Sequence, residues 1–321
     1  MGLGIALDEA ARGSIAAFGA YLLIVSFPTV PSARPFATLA LAALILSVAA
    51  SLGTAVAEGG AGFFLLAILA ALAQAVAELR GGPFRLPVAL ATLTFFLSVA
   101  QSPEGGRLPY AGLFLAGTLW GLAVAALVPP RAPAKPPSQA VADMAGARFL
   151  ATAATAGLLG ALAAAFTPSS PPGWLPAAAL RVLKPTRAET LHRMKRHGIA
   201  SLLAAAAGGL LLGWASAAWL HALIVGGLVF AMLMIGAKRY GAWTFCLMAV
   251  ALAFDLGPAA DPLPVAIARV LLTGGGLLIA AALVVLLPGR VRRRARLAGR
   301  ARCRMPADDA HGRLPQRNGP C

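Results

Sequence analysis

The sequence predicts an all-α integral membrane protein with ten to twelve transmembrane helices. Hydrophobic residues make up 59% of the 321-residue chain and charged residues 12%, whereas about a quarter of the residues in a soluble domain are charged. The apolar residues fall in long blocks instead of amphipathic stripes, as in helices surrounded by lipid. Alanine and glycine dominate these blocks, which is typical of helices that pack closely within a membrane.

Eleven apolar blocks are the candidates for these helices. They are about 13–31, 36–57, 62–78, 86–101, 110–129, 148–167, 173–183, 198–216, 217–236, 240–257 and 265–288. The block 173–183 is shorter than the roughly 20 residues that a spanning helix needs. It is therefore either a short spanning helix or a re-entrant one.

Composition divides the chain into four parts. Residues 1–130 form a first transmembrane half, 131–146 a linker rich in proline and alanine, 147–288 a second transmembrane half, and 289–321 a basic tail. The linker is too short to hold a soluble domain between the halves.

The two halves are predicted to be diverged copies of one unit. Their opening blocks, 13–31 and 148–167, correspond, and Thr118-Leu-Trp-Gly121 near the end of the first half resembles Thr273-Gly-Gly-Gly276 near the end of the second. Internal repeats are a common way of building transporters. The alternative is that alanine- and glycine-rich helices resemble one another by composition alone. If the halves are copies, the first copy is one helix short, because nothing in it matches both Trp174 and the basic residues 181–196.

Orientation is predicted from a patch of cations that we call the basic knot. Its members are Arg181, Lys184, Arg187, Arg193, Lys195 and Arg196. Positive loops stay in the cytoplasm, which places this loop and the basic tail there and Trp174 at the opposite interface. The N-terminus lies outside if block 173–183 spans and inside if it is re-entrant. The formal charge of +16 then reflects topology and contacts with anionic lipids, and not binding of nucleic acid.

The same region carries a resemblance to a known family. From Trp174 to Gly198 the chain reads Trp-x-x-x-x-Ala-x-x-Val-Leu-Lys-Pro-x-x-x-x-Thr-Leu-x-Arg-x-x-x-x-Gly, followed by a helix of small apolar residues. This pattern resembles the core of the fusaric acid resistance (FUSC) family of membrane exporters, to which plant anion channels are more distantly related. The resemblance covers 148–288 and, weakly, 10–130. It implies efflux of small organic, especially aromatic, carboxylates, driven by a proton or anion gradient. The richness in alanine, glycine, proline and arginine fits a GC-rich bacterial genome and so predicts a bacterial inner membrane as the location.

Arg269 is the first candidate for binding such a substrate. It lies near the start of the last apolar block, where a charge is costly unless it faces a cavity, a partner or the headgroups. A guanidinium group suits bidentate capture of a carboxylate, and Thr273 follows at i+4 on the same helix face. Phe114 stands at the corresponding place in the first half. The alternative is an arginine that snorkels to the interface or pairs with Asp255 or Asp261.

Four further residues are candidates for transport roles. Lys184, Arg193 and Arg196 match the family pattern best, and the resemblance implies that they hold an anion at the cytoplasmic mouth; topology alone is the alternative. Asp255 closes an apolar block and is interpreted as the only acid with an argument for lying in the membrane. It is a candidate for proton coupling, with a solvated loop residue or a salt bridge to Arg269 as alternatives.

Enzymatic activity is not expected. The sequence has no phosphate-binding Gly-x-x-x-x-Gly-Lys-Ser/Thr loop, no nucleophile elbow and no His-Glu-x-x-His motif, so neither ATP hydrolysis nor hydrolase chemistry is indicated. No metal site and no cofactor are expected. The expected partners are membrane lipids and a small organic anion, and a homo-oligomer is left open. An anion channel and a structural or lipid-handling membrane protein remain alternative functions.

Overall fold

The computed structural model of the chain describes most of the predicted apolar blocks. The described residues are 9–27, 35–56, 60–99, 107–127, 146–167, 173–214, 217–235, 239–255 and 262–286. All of them belong to one compact unit, residues 1–287. The predicted linker, apart from Gly146, and the predicted basic tail 289–321 lie outside the described residues.

Eleven helices and no strand are found in these described ranges. They are α1 (Ala10–Ser26), α2 (Pro35–Ala55), α3 (Ala61–Arg80), α4 (Arg85–Ser98), α5 (Arg107–Ala126), α6 (Gly146–Ala165), α7 (Trp174–Val182), α8 (Arg187–Trp214), α9 (Ala218–Ile235), α10 (Tyr240–Asp255) and α11 (Pro262–Leu286). Five of them, α2, α3, α5, α6 and α11, are long and apolar enough to cross a membrane. The prediction of an all-α membrane protein is therefore confirmed, and the number of spans stays a prediction.

The basic knot, predicted to be a loop, is largely helical. α8 begins at Arg187, so only the four residues Leu183, Lys184, Pro185 and Thr186 connect it to α7. The backbone N–H of Glu189 donates to the Thr186 hydroxyl over 3.3 Å, as in the Ser/Thr-x-x-Glu signature of a helix N-terminus. Since Glu189 also pairs with Arg193 one turn later at 2.9 Å, a helix satisfies the charges of this segment better than a loop does.

α7 is a short helix at the centre of the bundle. It has nine residues, eight of which are buried. Trp174 is one of them, with 3% of its surface exposed, so its predicted position at the lipid–water interface is wrong. A Cβ atom on Gly276 of α11 would overlap the carbonyl oxygen of Leu175. The missing side chain lets α7 and α11 approach backbone to backbone.

The helix pairs at the two ends of the chain follow one scheme. α1 packs against α5, α2 against α4 and α5, and α3 against α4; likewise α7 packs against α11, α8 against α10 and α11, and α9 against α10. α6 lies against α3 and α7. This scheme relates α1 to α7, whereas the sequence comparison paired the block of α1 with that of α6.

Candidate functional site

Arg269 lies in the interior of the bundle. Its side chain is 4% exposed, and its Cζ atom lies 3.2 Å from the centroid of the Trp174 ring. A guanidinium group over an indole face gains cation–π attraction, which is strengthened by removal from water. The structure therefore does not support the alternative of an arginine that snorkels to the surface. The side chains of Asp255 and Asp261, its predicted alternative partners, are outside the described part of the chain.

Thr273 lies one turn after Arg269 on the same face of α11. It is 2% exposed, and its hydroxyl has no hydrogen-bond partner among the described residues. The same holds for the hydroxyl of Ser201 on α8. An unsatisfied buried hydroxyl costs about 1–3 kcal/mol, so each of these groups needs an explanation.

Close contacts show that Ser201 and Thr273 lie at one level of the bundle. A Cβ atom on Gly198 would lie 3.3 Å from Leu277, and one on Gly209 would lie 3.8 Å from Ala266. Positions later in α8 therefore meet positions earlier in α11, and the two helices are antiparallel. Position 201 falls opposite the turn that holds Thr273.

α10 brings further polar groups to this level. A Cβ atom on Gly208 of α8 would lie 2.9 Å from Leu252 of α10. The two helices run in parallel, so eight residues earlier on each of them position 200 of α8 lies level with position 244 of α10. Thr244 is fully buried. Five residues each have a buried polar side-chain atom with no hydrogen-bond partner among the described residues, and we call them the polar cluster. They are His197, Ser201, Tyr240, Thr244 and Thr273. The polar cluster lies where α8 packs between α10 and α11.

Two more arginines lie on aromatic rings at the basic-knot end of these helices. The Cζ atom of Arg193 lies 4.9 Å from the ring centroid of Tyr240, and that of Arg181 lies 5.3 Å from the ring of Trp243. Arg193 also pairs with Glu189. Arg193 lies about two turns before Ser201 on α8, so this cation borders the polar cluster on the side of the basic knot.

Lys184 and Arg196, two of the predicted anion-binding residues, lie apart from the polar cluster. Lys184 is 3% exposed, and its Nζ atom pairs with Glu78 of α3. Burial lowers the pKa of its ammonium group to about 7 although the Glu78 carboxylate opposes this shift. Arg196 is exposed on α8. The structure therefore groups Arg269, Thr273 and Arg193 near the polar cluster, and engages Lys184 elsewhere.

Glu78 is the main functional candidate that sequence reasoning missed. Its side chain is 5% exposed and receives both Lys184 and the Nε atom of Arg85, the latter at 2.7 Å. The interpretation of Asp255 as the only acid with a case for lying in the membrane is therefore wrong. The available signal was the spacing of Gln74 and Glu78, two polar residues at i and i+4 in a helix whose other residues are apolar up to its last one, Arg80. Asp255 ends α10, and its side chain is outside the described residues.

Chemically, the polar cluster and its cations can hold an anion through charge and hydroxyl donors. Among the described side chains from α6 to α11, Glu189 is the one acid, and it is already paired with Arg193. Within the described part of the chain no group of three or more histidine, cysteine, aspartate or glutamate residues is placed to hold a metal ion.

Comparison with known proteins agrees with the resemblance predicted from the Trp174–Gly198 pattern. The model of a family described as fusaric acid resistance protein-like matches residues 158–283, which confirms that resemblance over this segment. The match contains α7 to α10 and both Arg269 and Thr273. No curated protein and no solved structure matches the chain. The match and the apolar helices together indicate a membrane protein of transporter type.

Proposed function

We propose that the protein exports small organic anions, aromatic carboxylates above all, across a bacterial inner membrane, and that its second half binds the carboxylate. The observation that carries this proposal is the pairing of the buried Arg269 cation with the unpartnered Thr273 hydroxyl one turn away on the same helix face. A carboxylate between α7, α8 and α11 accepts hydrogen bonds from the guanidinium group and from the hydroxyls of Ser201 and Thr273.

The aromatic preference follows from the surroundings of Arg269. The ring of Trp174 lies directly against the guanidinium group, and Tyr240 is a member of the polar cluster. An aromatic substrate places its carboxylate on the cation and its ring among these side chains, because aromatic rings attract one another at offset or edge-on geometries. An aliphatic acid lacks this second contact and is expected to bind more weakly.

The helix-packing scheme supports a repeat of five helices, α1–α5 and α7–α11. A unit of five spans ends on the opposite side of the membrane from its start, so two copies joined directly would be inverted. α6 adds the crossing that lets both copies run in the same direction, as in transporters with parallel repeats. Eleven spans then place the N-terminus outside and the basic knot and tail in the cytoplasm.

Flux measurements on purified protein in proteoliposomes test this function. The panel consists of radiolabelled benzoate, cinnamate and aliphatic carboxylates, with and without a pH gradient. We expect saturable uptake that requires the gradient and favours the aromatic acids. Arg269→Ala is expected to remove saturable uptake. Arg148→Ala is the matched control, since Arg148 is an exposed arginine on α6 and its loss leaves uptake unchanged.

Three results would contradict the proposal. Rapid anion flux that follows voltage without a gradient would assign a channel instead. Silence across the panel, with folded protein shown by a symmetric gel-filtration peak, would assign a structural or lipid-handling role. Undiminished uptake in Arg269→Ala would show that the substrate binds elsewhere.

A further inference from the structure

A buried ion pair joins α3 to the connection between α7 and α8. The Glu78 carboxylate receives Lys184 on one oxygen and Arg85 on the other, the second at 2.7 Å. Glu78 and Lys184 are both at least 95% buried, while the Arg85 side chain is 33% exposed. A buried charge without its partner is costly. Protonation of Glu78 therefore makes the buried position of the Lys184 ammonium group less favourable.

Two hydrogen bonds link the neighbourhood of the ion pair to α7 and α8. Gln74, one turn before Glu78, donates to the carbonyl oxygen of Leu180 in α7 over 2.9 Å. The backbone N–H of Lys184 donates to the hydroxyl of Thr190 in α8 over 3.0 Å. Lys184 therefore moves together with the end of α7 and the start of α8. At the other end of α7 lies Trp174, against Arg269.

A small cavity of about 10 Å³ lies beside the ion pair. It is lined by Glu78 and Gln74 from α3, Phe149 from α6 and Leu180 from α7, among others. A volume of this size holds about one water molecule when polar partners are present. Gln74 and Glu78 supply them, so the cavity offers a place from which a proton can reach the carboxylate.

We propose that Glu78 is the proton-binding residue that couples transport to a proton gradient, by holding Lys184 when ionised and releasing it when protonated. This proposal rests on the proposed function. Protonation leaves the Lys184 ammonium without its partner inside the protein, so the α7–α8 connection has to move toward water. That movement displaces α7 and with it Trp174, which alters the anion site at Arg269.

The cations around Glu78 make its protonation depend on their positions. α4 contributes Arg85, and the connection after α7 contributes Lys184. α8 adds the more distant Arg193, while the residues of α6 that line the cavity, Phe149 and Ala153, carry no charge. Three cations and one carboxylate make a site that holds its proton only when the cations separate.

The first test compares Glu78→Gln with wild type in the proteoliposome assay. The glutamine mimics the protonated carboxyl group permanently. We expect substrate exchange between equal concentrations on both sides to continue, and stimulation by the pH gradient to disappear. Glu9→Gln is the matched control, because Glu9 pairs with Arg12 at 2.7 Å in an exposed ion pair; its gradient stimulation is expected to stay intact.

The second test measures the pH profile of uptake in Lys184→Gln and Arg85→Gln. Removal of a neighbouring cation raises the proton affinity of a carboxylate, typically by one to three pH units for a close partner. We expect the profile to move to higher pH by about one unit or more in Lys184→Gln and by less in Arg85→Gln. A purely structural role of the ion pair lowers uptake without moving the profile. Since Arg85 is partly exposed, its variant remains informative if Glu78→Gln does not fold.

The outcomes separate this proposal from the proposed function. Wild-type uptake driven by a gradient, with Glu78→Gln still stimulated, overturns the coupling role and leaves the exporter intact. If Asp255→Asn loses the stimulation while Glu78→Gln keeps it, Asp255 is the coupling acid. Wild type without any gradient-driven uptake removes both proposals together.

Discussion

α5 in the first half and α11 in the second half occupy corresponding places in the packing scheme but differ in polarity. On α5, the hydroxyl of Thr118 lies 3.1 Å from that of Ser47, and the two satisfy each other. On α11, Thr273 has no partner among the described residues, and neither does Ser201 on the helix that packs against it. Among the described residues, the hydroxyl on α5 is therefore hydrogen-bonded within the bundle, whereas the hydroxyl at the corresponding place on α11 is not.

The residues one turn earlier show the same contrast. Phe114 is fully buried and meets the Phe18 ring edge-on at a centroid distance of 6.2 Å. Arg269 meets the Trp174 ring through its guanidinium group. A buried phenylalanine stabilises by removal of apolar surface from water or by packing, whereas a buried arginine is costly unless it binds something. The corresponding positions in the two halves therefore differ in the kind of contact that the buried side chain makes.

The largest expected effect comes from making the second half resemble the first. Arg269→Phe is expected to weaken binding of benzoate about ten- to a hundredfold, because a hydrogen bond to a charged group contributes about 1.5–3 kcal/mol. The melting temperature is expected to fall by a few degrees, because the variant also loses the cation–π contact with the Trp174 ring. Scintillation-proximity binding and a thermal-shift assay measure the two quantities. Tight binding of benzoate by Arg269→Phe would show that the difference between Phe114 and Arg269 does not determine anion binding.

The glycine contacts are expected to act alike in both halves. Gly276→Ala and Gly117→Ala each place a Cβ atom onto a backbone carbonyl of the partner helix, and overpacking of this kind costs about 1–3 kcal/mol. Gly112→Ala is the control, because nothing lies within 4 Å of its Cβ position. Thermal unfolding in detergent measures the effect. Loss of stability in one half only would argue against a shared scheme.

The smallest effects are expected from substitution of the two threonines. One substitution lowers stability and the other lowers benzoate affinity. Thr118→Val leaves Ser47 unpaired and is expected to lower stability by about 1 kcal/mol without changing benzoate affinity. Thr273→Val removes a hydroxyl with no hydrogen-bond partner among the described residues, so stability is retained while affinity falls about fivefold, which corresponds to about 1 kcal/mol for one hydrogen bond. The same binding and thermal-shift assays distinguish them. An equal stability loss in both variants would show that Thr273 has a structural partner.

The helices could be predicted from the sequence because long apolar blocks specify them directly. The start of α8 could not, because the charges of the basic knot are typical of loops between spans. Thr186 and Glu189 form the Ser/Thr-x-x-Glu capping signature of a helix N-terminus. The prediction gave more weight to the positive charges of the segment than to this signature.

The candidate site was predictable only in part for a related reason. Arg269 stands out as a charge in an apolar block, and Thr273 follows from helical spacing. Glu78 was missed because its partner Lys184 is 106 residues away in the sequence, and no local sequence pattern predicts an ion pair over that separation. Ser201 and Thr244 are ordinary small polar residues in a membrane helix, and only their buried, unpartnered hydroxyls distinguish them.

The most direct test of the anion site is a structure of the purified protein with 4-iodobenzoate, located by the anomalous signal of iodine. We expect one site in the second half, with the carboxylate on Arg269 and within hydrogen-bond reach of Thr273 or Ser201. Iodine in the first half beside Thr118, or only at the Glu78–Lys184 pair, would contradict it.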